Sequence, residues 1–257
     1  MIICFTGTGN SRLVAAELQF HLGGTVTELY GELLRRPAST VLEVPAGEDI
    51  VWVFPVYSWG VPPVVAHFIR RCKIKGAHEC RHHMVCTCGD DIGRADDRWR
   101  NLVGRRGWSP CGAFSVTMPN TYVCMKGYDV DPAELEATKL NAMPGRVAEI
   151  VASMRRGFTG NDVVRGSYPW LKTAVVYPLF KATCMSATPF HATDACITCG
   201  LCARECPMEN IAMQDGRPHW GRDCALCLRC YHRCPAKAIA YGRETQDKGQ
   251  YRAPDKI

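Results

Sequence analysis

Two cysteine runs near the carboxyl end constrain this chain more than any other feature. The first is Cys196-Ile197-Thr198-Cys199-Gly200-Leu201-Cys202-Ala203-Arg204-Glu205-Cys206-Pro207. The second is Cys224-Ala225-Leu226-Cys227-Leu228-Arg229-Cys230-Tyr231-His232-Arg233-Cys234-Pro235. Each reads C-x2-C-x2-C-x3-C-P, and the copies lie 28 residues apart. Thiolates at i, i+3 and i+6 wrap one iron–sulfur cubane on a tight loop, while the fourth, before proline, reaches the other cluster. On that rule Cys196, Cys199, Cys202 and Cys234 hold one 4Fe-4S cluster, and Cys224, Cys227, Cys230 and Cys206 hold the second. Pro207 and Pro235 stop the chain after the last ligand. Short apolar stretches follow at matched positions, Ile211-Ala212-Met213 and Ile239-Ala240-Tyr241, as expected of a duplicated module with small strands.

Two other uses of cysteine fit less well. A zinc site pairs C-x-x-C knuckles across a longer gap and leaves no ligand over. Disulfide staples belong to small secreted chains, and no signal peptide is read here. Of the 16 cysteines, the eight outside the runs are scattered with no second ligand spacing. Free thiols in that number are expected in a reducing cytoplasm, where they read as small buried hydrophobes. The formal net charge of +6 invites a nucleic-acid or membrane partner. Eight thiolates with two cubane cores returning about +4 bring it to roughly +2, and a bound flavin phosphate removes up to two more. The holoprotein is therefore expected to be near neutral, with no nucleic-acid partner. No apolar stretch reaches the roughly 18 residues of a transmembrane helix.

The chain opens with an apolar strand over Met1–Phe5, then Thr6-Gly7-Thr8-Gly9-Asn10-Ser11, then a helical pattern. A strand ending in a glycine- and hydroxyl-rich loop that opens a helix is a phosphate cradle: amides and helix dipole attract a dianion. The loop lacks the lysine and spacing of a nucleotide-triphosphate loop and the G-x-G-x-x-G of a dinucleotide site. Asp49–Pro55, His83–Thr87 and Gly112–Thr117 read as further buried strands, with helices over Val64–Arg71 and Gly93–Arg105 between them. Strands alternating with helices argue for a parallel, doubly wound sheet, whose ligands bind outside the strands' carboxyl ends.

The Thr6–Ser11 loop matches, residue by residue, the T-x-T-G-N-[ST] phosphate motif of flavodoxins, and the amino-terminal two-thirds resembles that family. The resemblance implies FMN, with Thr6, Thr8, Gly9, Asn10 and Ser11 around its phosphate. It implies that the loops carrying Tyr57 and Trp59, and Thr87, Gly89 and Asp90, flank the isoalloxazine, with Asn120 and Tyr122 from a third loop. One feature departs: Asp91-Ile92-Gly93-Arg94-Ala95 lacks the aromatic that flavodoxins carry there, so one flavin face is expected open, or covered by Tyr122 or a partner. Cys86 and Cys88 read as core rather than as a redox pair. The joined architecture is similar to the flavodoxin–ferredoxin fusions called ferrodoxins.

The expected organisation is α/β: a flavodoxin-like domain over 1–160 with a five-stranded parallel sheet, and a small α+β ferredoxin-like two-cluster module over 189–243. Residues 161–188 form a connector packing one against the other, with a membrane-surface role as the alternative. Residues 244–257 form a polar tail without evident chemistry. Helices are expected over Asp131–Met143 and Pro144–Arg156, with Pro144 in a first turn. Phe158–Gly166 is expected as a loop, and Pro169 and Pro178 are expected to interrupt any long connector helix. The reading is a cytoplasmic electron carrier joining FMN to two 4Fe-4S clusters and a redox protein donor or acceptor. No catalytic acid, base or nucleophile is assigned. One rival is a flavin-dependent reductase of a small quinone or nitroaromatic acceptor, with Asp90, Asp91 and His67 as weak proton-donor candidates. Another is an iron–sulfur binding or assembly module without flavin, the first loop merely capping a helix.

Overall fold

Three buried apolar residues make β1 (Ile2–Cys4), which lies inside a parallel sheet. The computed structural model describes residues 1–254. In chain order β1 is followed by α1 (Asn10–Leu22), β2 (Val26–Glu28), α2 (Glu32–Arg35), β3 (Val41–Glu43), β4 (Ile50–Pro55) and α3 (Pro63–Arg71). Then come β5 (Lys73–Lys75), β6 (Arg81–Cys88), α4 (Ala95–Gly104), β7 (Ser109–Thr117), α5 (Ala133–Arg155) and β8 (Asn161–Asp162). The main sheet runs β2-β1-β4-β6-β7-β8, with every neighbouring pair parallel. Strands β3 and β5 form a separate parallel pair. Without them the order is the doubly wound 2-1-3-4-5 of flavodoxin-like folds, extended by a sixth strand. The expected five strands are thus corrected to six. Two residues of the expected Phe158–Gly166 loop pair with Ala113 and Phe114 as β8, a strand too short to carry its own alternation.

Alternation along β1 and β4 builds two cores. Ile3, Phe5, Trp52 and Phe54 face α3 and α4, where they meet Phe68, Ile69, Trp99 and Val103. Ile2, Cys4, Val51 and Val53 face α1 and α5, meeting Leu13, Val14, Leu18, Val147 and Ile150. This two-sided burial explains why the strands read as near-continuous apolar runs. The break expected at Pro144 does not occur; α5 runs through it. A proline inside a helix costs about 3 kcal/mol, but Met143, Val147, Ile150, Val151 and Met154 all bury on one face and hold both halves in line.

The connector is likewise one continuous rod: α6 (Pro169–Leu171), a π-helical turn (Lys172–Val176) and α7 (Tyr177–Thr183). Tyr177 N–H reaches back five residues to Lys172 O. That wider turn accommodates the missing amide of Pro178, so the expected interruption becomes a local π-bulge.

The remaining elements are β9 (Phe190–Ala192), α8 (Leu201–Arg204), β10 (Ile211–Gln214), β11 (Arg217–Trp220), α9 (Arg229–Arg233) and β12 (Ile239–Tyr241). Antiparallel β10–β11 and β9–β12 pairs flank the cysteine loops, and the expected strands at Ile211 and Ile239 are both present. Their core of Phe190, Ile211, Leu226, Leu228, Tyr231 and Ile239 also takes in Val123, Cys124 and Phe180. The tail is not idle. Gln250 Nε2 donates to Tyr231 O at 2.6 Å, and the fully buried Tyr251 donates from its hydroxyl to Asn10 Oδ1 at 2.6 Å. It straps the second cysteine run to the first helix; positions 255–257 of the expected tail lie outside the described residues.

Candidate functional site

The loops leaving β1, β4, β6 and β7 meet at the carboxyl ends of their strands and enclose two adjoining cavities. One is lined by Thr6, Gly7, Thr8, Asn10 and Ser11 together with Thr87 and Asn120. The other is lined by Tyr57, Trp59, Gly89, Asp90, Asn120 and Tyr122. All the residues expected around phosphate and ring therefore line this cleft except Gly9, which caps α1 in the left-handed region.

Their roles divide. Thr6 Oγ1 accepts from Gly9 N–H at 3.1 Å. Asn10 is spent on structure: its Nδ2 donates to Pro119 O at 2.9 Å while its Oδ1 takes the Tyr251 hydroxyl. Ser11 and Thr87 share a buried hydrogen bond of 2.8 Å. Helix α1 has no side-chain cap, so the backbone amides of its first turn remain available to an anion. Thr8 adds a hydroxyl beside Thr121 Oγ1 at 3.5 Å.

The ring-side loops are rigid. Tyr57 and Gly60 exchange backbone hydrogen bonds of 3.0 Å, and Ser58 and Trp59 between them both have positive φ, at 43° and 63°. That is a type I′ two-residue turn, with a local cost for bulky residues that surrounding contacts must offset. The connector supplies them: Thr173 Oγ1 donates to Trp59 O at 2.8 Å, and the Tyr177 hydroxyl donates to Val61 O. At the next loop a side chain on Gly89 would overlap Asn120 Oδ1. Asn120 cannot yield, because its N–H and Nδ2 both donate to Asp131 at 3.0 Å. Asp131 in turn pairs with buried Lys139 at 2.7 Å. Burial works to raise the Asp131 carboxyl, but the Lys139 and Asn120 hydrogen bonds outweigh it and hold it below the usual range. Cys86 and Cys88 are buried, and burial pushes both thiols up, Cys88 to about 12, so they are core, as expected.

The cysteine loops repeat in three dimensions as they do in sequence. Thr198 and Leu226 have φ of 55° and 50°, Gly200 and Leu228 have 69° and 60°, and Glu209 and Lys237 have 49° and 50°. Each pair is offset by the same 28 residues. Non-glycine residues rarely adopt this region without a functional reason. Asn210 N–H donates to Cys206 Sγ at 3.3 Å, and at the same offset Ala238 N–H donates to Cys234 Sγ at 3.2 Å.

The thiols sort into two groups along the interleaved rule. Cys196, Cys199, Cys202 and Cys234 line one small cavity with Met213, Pro218 and Ile239. Burial, then Cys227 and Cys206, pushes the Cys224 thiol up to about 12. Burial, then Cys227, Cys224 and Cys206, raises the Cys230 thiol well above its ordinary value. Among the described residues no three His, Cys, Asp or Glu side chains converge on a single-ion position; a cubane instead asks for four separated thiolates. At this site the buried Tyr57 hydroxyl has no hydrogen-bond partner among the described residues. Orphaned buried donors call for an acceptor. Tyr57 lies beside Cys227 and Cys224, where inorganic sulfide or a flavin edge would fit, and the Trp220 indole N–H is directed at the Cys230 sulfur.

The two regions share a wall. Leu226, Cys227 and Leu228 line the cavity of Tyr57 and Trp59, and Cys227 also lines the cavity of the Thr6–Ser11 loop. A side chain on Gly7 would fall onto the Cys227 carbonyl. Arg229, buried between two cysteines, donates from Nε to Gly7 O and from Nη2 to Thr6 O, both at 2.9 Å. Its Nη2 also reaches Glu28 Oε1 at 3.0 Å. His232 donates from Nε2 to Thr121 O at 2.8 Å and accepts Tyr251 N–H on Nδ1 at 3.0 Å. Burial drives its pKa down to about 4, which keeps it in that neutral tautomer. Sequence reading missed Arg229, His232, Asp131 and Tyr251. For the first two the signal was available, because the repeat sets them against Leu201 and Arg204.

No family model matches the chain, and comparison with curated proteins gives no match. Among solved structures it is similar to Fusobacterium nucleatum flavodoxin bound to flavin mononucleotide (13% identity, 62% of this chain and 97% of that one, TM-score 0.39). It is also similar to a putative flavoprotein from Bacteroides uniformis (14%, 46% and 90%, TM-score 0.36). A third is the Trp repressor binding protein of Bacillus subtilis (11%, 57% and 97%, TM-score 0.35). At these scores the likeness adds nothing to what the sheet order establishes.

Proposed function

We propose that this chain is an electron-transfer protein that holds FMN in the cleft and one 4Fe-4S cluster in each cysteine group. The observation that carries this reading is the shared wall: Cys227, a ligand candidate for the second cluster, lines both cavities of the flavin cleft. When bound, flavin exchanges one or two electrons and each cubane one, and the protein contributes distance, burial and orientation. The α1 amides and Thr8 would hold the phosphate, Tyr57, Trp59 and Tyr122 would flank the ring, and Leu226 and Leu228 would exclude water. Cys206, Cys224, Cys227 and Cys230 would hold the cluster beside the cleft, and Cys196, Cys199, Cys202 and Cys234 the one farther from it. Cys199 and Ile197 of the first loop are exposed, which suits a redox protein partner docking there. The many free thiols suit a reducing cytoplasm.

Anaerobically purified protein should carry one FMN, with about eight iron and eight acid-labile sulfide per chain. Cys199→Ala should lose about half of the iron and keep its FMN. Protein that stays iron-free after reconstitution would overturn the cluster assignment, and protein that takes up iron but no FMN would favour the flavin-free module. Faster turnover with quinones than with a protein acceptor would favour the reductase.

A further inference from the structure

The connector helix carries a second surface that the cofactor sites do not use. Its inner face is committed: Thr173, Tyr177 and Phe180 are buried against the cleft loops. Its outer face is bare. Leu171, Val175 and Leu179 recur every four residues on one line, at 48%, 48% and 59% exposure. Tyr168 and Trp170 stand at its beginning, 78% and 61% exposed. A contiguous apolar patch of this kind on a protein surface marks an interaction site. The inner-face hydrogen bonds to Trp59 and Val61 fix the helix, so it cannot roll to hide these side chains.

One flank of this face is cationic. The Arg98 guanidinium and Lys181 Nζ both lie 4.9 Å from the centre of the Tyr177 ring. Arg70 adds a third charge, since burial first, then Arg98 and Arg70, lowers the Lys181 pKa. The carboxylates nearest along α4 and its approach are taken elsewhere: Asp91 by Lys172, Asp96 by Arg165, and Asp97 by Arg94 and Arg165. Arg98 is partly buried and donates to Thr173 O at 2.6 Å, whereas Arg70 and Lys181 are exposed; none of the three has a counter-ion among the described residues.

We propose that the outer face of Pro169–Thr183 is a membrane-surface anchor that seats this protein on anionic phospholipid. The composition is that of an interfacial helix, with Trp, Tyr and Leu toward the acyl boundary and Lys and Arg toward headgroups. The helix lies on the bilayer rather than crossing it: its fifteen residues are short of the roughly 20 needed to span, and among the described residues no helix is long and apolar enough to cross a membrane. The uncompensated cations select lipid over a second copy of the chain, because symmetric pairing through this face would set two such clusters near one another. The anchored orientation brings the flavin cleft, which Phe180 of the same helix helps to line, close to the headgroup plane.

The test uses cofactor-loaded protein and vesicles of phosphatidylcholine with about 30% phosphatidylglycerol, against phosphatidylcholine alone. Co-sedimentation is expected only with the anionic vesicles, and brominated lipid should quench wild-type fluorescence more than that of Trp170→Phe. Arg70→Gln with Lys181→Gln should weaken binding about thirtyfold, at one to two tenfold steps for two surface cations. Trp170→Ser with Leu179→Ser should abolish it, with circular dichroism and iron content unchanged. Failure to sediment with anionic vesicles, or equal binding to neutral ones, overturns the proposal. A concentration-dependent dimer that Trp170→Ser dissolves overturns it in favour of a second copy. Because the readout is vesicle binding, it is independent of whether electrons pass between flavin and clusters.

Discussion

Replacing Arg229 by methionine should loosen the junction of the two halves at a single point. Arg229 is 4% exposed. It donates to Gly7 O, Thr6 O and Glu28 at 2.9, 2.9 and 3.0 Å, and to Glu205 O at 3.4 Å. Breaking a buried ion pair by removing one partner costs about 3–5 kcal/mol. The lower end applies here, because Glu28 is partly exposed and keeps Arg12 at 2.8 Å. Two carbonyls at the end of β1 also lose their donor, and methionine recovers some of the loss through packing. A net cost of about 3 kcal/mol corresponds to a fall of roughly 6–12 °C in Tm for a chain of this size. The assay is thermal unfolding of loaded protein, with hydrogen exchange to locate the change. Protection should fall together in the Thr6–Asn10 loop and the Cys224–Cys234 run. Arg229→Lys should lie between, since it keeps the charge and loses the fork. A Tm within about 1 °C of wild type for Arg229→Met, with exchange unchanged in both segments, would refute the inference that this residue ties them.

Three further outcomes are expected. Gly89→Ala should weaken FMN binding at least tenfold, measured by flavin fluorescence titration, while leaving iron content intact, because Asn120 is pinned by Asp131 and cannot move aside. Tyr251→Phe removes the 2.6 Å bond to Asn10 and should cost about 1 kcal/mol, a Tm loss of roughly 2–4 °C; an unchanged Tm would mean the strap contributes nothing. Acid should weaken the junction through two groups. Glu28, held low by Arg12 and Arg229 although burial opposes them, contributes above its unfolded value of 4.5 and loses that contribution as pH falls through the depressed one. His232 refuses a proton down to about 4, whereas the unfolded imidazole takes one at 6.5. Stability should therefore decline between those values by up to about 1.4 kcal/mol per pH unit. In His232→Gln the slope of Tm against pH over that window should flatten; an unchanged slope would assign it to other groups.

The strands that are buried on both faces, β1, β4, β6 and β7, were legible because such burial writes unbroken apolar runs. So was the Thr6–Ser11 loop between β1 and α1, whose hydroxyls and glycines are contiguous in sequence. Strands β2 and β8 were not, because three and two residues carry no period and take their conformation from the neighbour they pair with. Proline misled twice, at Pro144 and Pro178, where tertiary burial and a π-turn absorb the lost amide. The candidate site was legible where its parts are local and opaque where they are brought together. Nothing near Asn10 announces Tyr251, 241 residues away. Only comparison of the two cysteine runs with each other would have singled out Arg229.

The repeated loops have the same backbone but unequal freedom. In the outer copy, Thr198, Gly200 and Leu201 stand at the corresponding positions, and Gly200 and Leu201 line the small cysteine cavity with Met213 and Pro218. In the inner copy, Leu226 and Leu228 wall the cleft and Arg229 rivets it to the end of β1. Exchanging the two segments would keep every cysteine spacing and still leave the molecule in two poorly joined pieces.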